Sequence, residues 1–114
     1  MSEEPKLINY ETLRKLEHEM EDAFDEIYQS IFESIQSSID QLLQHPTDQN
    51  EITRIFHSIK SPAASLGAEQ LAKLAAKLES DARRGVINHL KLDAPIKAIQ
   101  QSYVELKKSL KEHE

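Results

Sequence analysis

The chain has 114 residues, 39% of them hydrophobic and 30% charged, with a formal net charge of −6. That is one domain's worth of chain, polar but not polar enough to be disordered, and its acidity argues against nucleic acid or an anionic membrane as the main partner. Two glycines, four prolines and no tryptophan nearly exclude an all-β fold, and the absence of cysteine excludes disulfides, thiolate metal sites and a cysteine nucleophile.

No apolar run reaches the roughly 18–20 residues of a membrane span, and Met1-Ser2-Glu3-Glu4-Pro5 does not read as a signal peptide, so the cytoplasm is the default compartment. Residues 1–8 read as a flexible N-terminal tail, and residues 9–112 as a single helical domain. Tyr10, Leu13, Leu16 and Met20 form a short helical stripe behind Asn9, an N-cap residue. A longer stripe follows in Phe24, Ile27, Ile31, Ile35, Ser38/Ile39 and Leu42. We place a break between the two helices near Met20–Asp22. No glycine or proline lies between residues 6 and 45, so a continuous helix is the alternative. His45-Pro46-Thr47 ends this stretch, because proline disfavours α conformation in the residue before it.

Asp48 and Glu51 make a capping-box pattern for a third helix with core residues Ile52, Ile55, Phe56, Ile59, Ala63 and Leu66, closed by Gly67. A fourth helix carries Leu71, Leu74, Ala75, Leu78 and Ala82 and ends at Arg83, Arg84 and Gly85, where basic side chains oppose the negative end of the helix dipole. After a loop, Asp93 caps a fifth helix with Pro95 in its first turn, and Ile96, Ile99, Tyr103, Leu106 and Leu110 form its buried face. Short connections between amphipathic helices make neighbours antiparallel. The expected fold is all-α: an antiparallel up-down four-helix bundle with a short additional N-terminal helix. Its second helix should run about 23 residues, roughly 35 Å. Such a bundle has little concavity, so chemistry should sit on an outer face.

Residues 56–67 read FHSIKSPAASLG. At about 100° per residue, His57 falls roughly 150° from the core sector of its helix and faces solvent. Thr53, Arg54, Lys60, Ser61 and Ala64 share that face, and several are small, so another protein can approach the imidazole closely. A neutral imidazole is a good nucleophile toward phosphorus, and free histidine is mostly neutral at pH 7. Lys60, one turn along, brings a positive charge that opposes the imidazolium and can pair with phosphoryl oxygens. By itself, H-x-x-K is a common pattern, and an exposed histidine is usually only solvated. His18, His45, His89 and His113 have no comparable surroundings.

The stretch from His57 to Gly85 resembles the histidine-containing phosphotransfer (HPt) domain family. The family pattern, roughly H-x-x-K-G-x-[AS]-x-x-[LIVF]-G followed by a leucine-rich helix, L-E and a basic-glycine end, is met by His57, Lys60, Ala63, Leu66, Gly67, Leu71, Leu74, Leu78-Glu79, Ala82-Arg83 and Gly85. Length and helix order agree over nearly the whole chain. The resemblance implies that His57 is the phosphoacceptor, on Nε2, and that Lys60 steadies the phosphoryl group. It implies a carrier between aspartates of receiver domains, in response regulators or a hybrid histidine kinase, with Mg2+ held by the partner receiver and no cofactor of its own. No ATP-binding glycine boxes are present, so neither kinase nor ATPase activity is expected. Two departures stand out: Ser61 replaces the usual glycine, and Pro62 lies inside the helix, predicting a local kink or widened turn between Ser58 and Pro62.

Counting residues outward from the helix connections sets His57 level with Ile35 on the preceding helix and with Lys77 on the following one. The expected docking patch is therefore Phe32, Ile35, Thr53, Ser61 and Ala64, with Arg54 and Lys77 at its rim. A monomer is expected, since each amphipathic stripe finds a partner within the chain. The competing reading is a helical adaptor that binds a receiver or another partner without carrying phosphate. A hydrolytic or metal enzyme is disfavoured, because no pair of carboxylates shares a pocket.

Overall fold

The computed structural model describes residues 4–113, apart from the side chain of His113; the start of the expected tail, residues 1–3, lies outside the described residues. The helices are α1 (Tyr10–Met20), α2 (Phe24–Leu43), α3 (Gln49–Ser65), α4 (Glu69–Arg83) and α5 (Asp93–His113). Among the described residues there is no strand, and no helix is long and apolar enough to cross a membrane. α3 packs against α2 and α4, α5 closes the bundle against both of these, and α1 lies across α2 and α3.

Each boundary has a local cause. Asn9 caps α1 by accepting from the amides of Glu11 and Thr12. The break after Met20 is a 3-10 turn, Glu21–Ala23, opened by Glu21 at φ 47°. α2 ends where His45 adopts φ 53° ahead of Pro46. Asp48 caps α3 by accepting from the Glu51 amide at 3.0 Å. α3 and α4 end alike, on left-handed Gly67 (φ 78°) and Gly85 (φ 76°). In each case the residue after the glycine donates back into the last turn, Ala68 to Ala63 O and Val86 to Asp81 O, both at 2.9 Å. Asp93 is the first residue of α5 rather than its cap. The loop before it coils into a 3-10 turn, His89–Lys91, so helical geometry begins early and the Leu92 carbonyl takes the first bond, from Ile96.

The core is the set of stripes read above: Leu42, Ile52, Phe56, Ile59, Ala63, Leu66, Ala75, Ala82, Ile99 and Leu106 have no exposed surface. Each large one contributes about 1.5–3 kcal/mol by burial. Ile35 belongs here too. It is fully buried, so it has no surface to offer a partner and drops out of the expected docking patch. The register explains why. Ser38 bonds Ser58 (2.8 Å) and Arg54 bonds Gln41 (3.3 Å), so His57 lies level with Ser38 and Ile39, about one turn beyond Ile35.

Residues 5–8, read as tail, are held against the bundle. Ile8 is buried, the Lys6 amide donates to Glu69 Oε1 (3.0 Å), and the Gln70 amide donates to the Lys6 carbonyl (2.9 Å). Asn9 adds a backbone bond to Gly67 O (2.6 Å) and a side-chain bond to Glu69 Oε2 (2.7 Å).

Of the kink or widened turn expected between Ser58 and Pro62, the widened turn does not form. α3 remains α-helical from Gln49 to Ser65 with Pro62 inside it. Ile59 and Ala63, on either side, are locked in the core, and Leu66 still donates to the Pro62 carbonyl (3.3 Å). The proline thus removes one bond, that of the Ser58 carbonyl, while packing on both flanks holds the helix.

Candidate functional site

His57 stands on the outer face of α3 with its side chain 60% exposed. Its ring is not free to spin. Nδ1 lies 3.0 Å from Oε2 of Glu79, on α4. Glu79 is itself 8% exposed at the side chain and is held from two more directions, by Lys60 Nζ on Oε1 (3.0 Å) and Arg83 Nη2 on Oε2 (2.7 Å). A buried carboxylate is normally costly, and here three donors satisfy it. Burial pushes its carboxyl up, but the hydrogen bonds and charges of Lys60 and His57 outweigh that and hold it below the usual range.

The chemistry of the ring follows. An ionised carboxylate accepts only, so Nδ1 donates to it, and in the neutral form of the ring the lone pair falls on Nε2. Orientation and tautomer are set by one residue. Lys60 does not act on the ring alone, as the sequence suggested. Its charge is shared with the carboxylate that both side chains touch.

Beside the ring opens a shallow cleft of about 410 Å³ lined by Gln49, Asn50, Thr53, Arg54, His57, Ala82 and Arg83. Thr53 and Arg54 are thus where the sequence put them. Gln49 ties the cleft together, donating to the carbonyls of Ala82 (2.6 Å) and Ile87 (2.7 Å) and so pinning the end of α4 to the start of α3. Ser61 and Ala64 are exposed further along α3, and Ala64 lines a second cavity with Thr12, Gly67 and Lys73.

Two expected patch residues lie elsewhere. Phe32 is half-buried between α2 and α5, its ring 4.9 Å from Tyr28 and 6.1 Å from Tyr103, and it lines a groove with Lys107 and Leu110 rather than the His57 cleft. Lys77 is exposed and paired with Asp81 (3.3 Å). It sits two residues from Glu79, about 200° around α4, which turns it away from the ring. Glu79 and Arg83 were missed as site residues, although both stood in the family pattern. The signal that could have found them is their i, i+4 spacing at the edge of the α4 core stripe, which aims both at one side of α3. Among the described residues, no three His, Asp or Glu side chains converge to hold a metal ion.

Three carboxyls titrate low: Glu79; Glu69, through the bonds from Asn9 and the Lys6 amide; and Asp81, through the bond from Arg84. A depressed folded pKa adds stability above the unfolded value and loses it as pH falls through the folded one. Circular-dichroism melts should therefore show the midpoint dropping once pH goes below about 4, the ordinary carboxylate range. A midpoint unchanged down to about pH 3 would contradict these pairings.

Comparison with known proteins bears on the family and the fold. The Hpt domain family matches residues 11–112. Among solved structures, the chain is similar to the crystal structure of histidine-containing phosphotransfer protein B (HptB) from Pseudomonas aeruginosa PAO1, with TM-score 0.80, 22% identity and 96% of each chain covered. At that identity the likeness speaks for the fold. No curated protein matches the chain.

Proposed function

Since the chain belongs to the Hpt domain family, whose members carry phosphoryl groups without kinase or ATPase activity of their own, we propose that it shuttles a phosphoryl group on His57 between aspartates of receiver domains in a multistep phosphorelay. One observation carries the residue assignment: an exposed imidazole whose Nδ1 is bonded to a buried carboxylate, which leaves Nε2 as the nitrogen available for reaction. In the accepting step Nε2 attacks the phosphorus of a receiver's phosphoaspartate. The N–P bond forms, the O–P bond breaks, and the aspartate leaves as a carboxylate. The partner supplies that group and its metal ion. Phosphoryl transfer is mostly positioning and electrostatics, which Glu79, Lys60 and Arg83 provide on this side.

Incubation with a phosphorylated receiver tests the reading. The chain should acquire label that is acid-labile and alkali-stable, as expected of phosphohistidine. Receivers dock, on this proposal, over Thr53, Arg54, Ser61 and Ala64. Ala64→Glu adds bulk and a charge to the open stretch of α3, and should slow transfer at least about tenfold, the effect of losing 1.4 kcal/mol at an interface. An unchanged rate would move the docking surface elsewhere.

A further inference from the structure

The ring that is to carry phosphate rests against a full negative charge. Glu79 Oε2 is 3.0 Å from His57 Nδ1, and the same carboxylate already engages Lys60 (3.0 Å) and Arg83 (2.7 Å). We propose that the Glu79 carboxylate keeps phosphorylated His57 labile, shortening its lifetime by holding Nδ1 protonated and by competing for the cations that would otherwise hold the phosphoryl group. This rests on the phosphocarrier reading of His57 and concerns how long the phosphoryl group stays on it.

Two features of the geometry act in the same sense. The first is the leaving group. When a receiver carboxylate oxygen attacks phosphorus, the N–P bond breaks, an O–P bond forms, and the electron pair of the N–P bond returns to Nε2. If Nδ1 keeps its proton, the ring departs as neutral imidazole. If Nδ1 is bare, the ring must depart as imidazolate, a far poorer leaving group. An acceptor-only carboxylate holds that proton in place throughout the step.

The second is competition for cations. The cations around the ring are Lys60 and Arg54 from α3 and Arg83 from α4. Lys60 and Arg83 are both bound to Glu79, so phosphoryl oxygens must share them with a carboxylate, which weakens their hold on the phosphorylated state. Glu79 is a positioning residue that touches the ring, not the phosphorus.

Glu79→Gln separates charge from shape. The amide oxygen can still accept from Nδ1, so ring orientation survives while the negative charge is lost. Full-length wild type and variant are loaded with phosphoramidate, and phosphohistidine decay is followed by phosphorus NMR at neutral pH. Loading from a phosphorylated receiver domain is run in parallel. The variant should retain phosphate about five to ten times longer, the scale of one charge-assisted hydrogen bond. Equal lifetimes in two folded proteins would overturn the inference alone. A wild type that accepts no phosphate from either donor would overturn the carrier reading and the inference with it. If Glu79→Gln does not fold, nitrogen NMR of the phosphorylated wild-type ring decides. Nδ1 protonated at about pH 7.5 supports the inference, and Nδ1 bare at that pH, above the ordinary histidine range, overturns it.

Discussion

His57→Gln should abolish phosphoryl labelling of the chain by a phosphorylated receiver, down to background. No neighbour can take over. Lys60 and Arg83 are cationic and held by Glu79, Thr53 donates its hydroxyl to the Gln49 carbonyl (3.0 Å), and Ser58 points inward to the Ile55 carbonyl (2.6 Å). Losing the sole nucleophile costs many orders of magnitude where such losses have been measured. The fold should be nearly untouched. His57 is 60% exposed, and surface substitutions of this kind usually change stability by no more than about 0.5 kcal/mol. The glutamine amide can also donate to Glu79 as the ring did. Helical circular dichroism and the thermal midpoint should therefore match wild type while label is lost. Label that persists at wild-type level would place the acceptor on another residue and remove His57 from the carrier role.

The largest effect on stability is expected at Gly67. Its φ of 78° lies in the left-handed region, where an added Cβ costs about 1–2 kcal/mol. A Cβ built there would also run into the Asn9 carbonyl oxygen and press on the Thr12 side chain, because the N-terminal segment crosses directly over the turn. The Asn9 amide bonds the Gly67 carbonyl at 2.6 Å, so relieving the clash means giving up that bond and loosening the Glu69 clasp beside it. Gly67→Ala should destabilise the chain by about 2–4 kcal/mol in urea unfolding, combining backbone strain with a lost buried hydrogen bond. Gly85 is an internal control. It has nearly the same φ, 76°, but a Cβ added there would meet nothing within 4 Å, so Gly85→Ala should cost only the backbone term, about 1–2 kcal/mol. Equal effects at the two glycines would mean that the N-terminal crossing contributes nothing.

The contrast between Gly67 and Gly85 shows where local reading stops. Both announced themselves as helix ends through the same chemistry, basic or small residues leading to a glycine. Nothing near Gly67 in the chain says that Asn9, 58 residues earlier, lies across it. Pro62 shows the same limit from the other side. Its intrinsic effect on a helix was legible, but the outcome depended on Ile59 and Ala63 being clamped in the core, which is a property of packing.

What the sequence by itself determined is everything governed within one or two helical turns. The five helices, their caps at Asn9 and Asp48, the glycine stops and the outward aim of His57 all follow from short-range hydrogen bonding and a 3.6-residue period. What only the tertiary structure decided is which residues meet across helices. Level counting chose Ile35 and Lys77 as neighbours of His57. The packed register brings Ser38 beside Ser58 and Glu79 beside His57 instead. The physical reason is the steepness of helical geometry. A slip of two residues moves a side chain by only about 3 Å along the axis but by about 200° around it, enough to exchange an exposed lysine for a buried carboxylate. Interhelical register is set by how core side chains of different size interlock, and that information is spread over four helices rather than written at any one position.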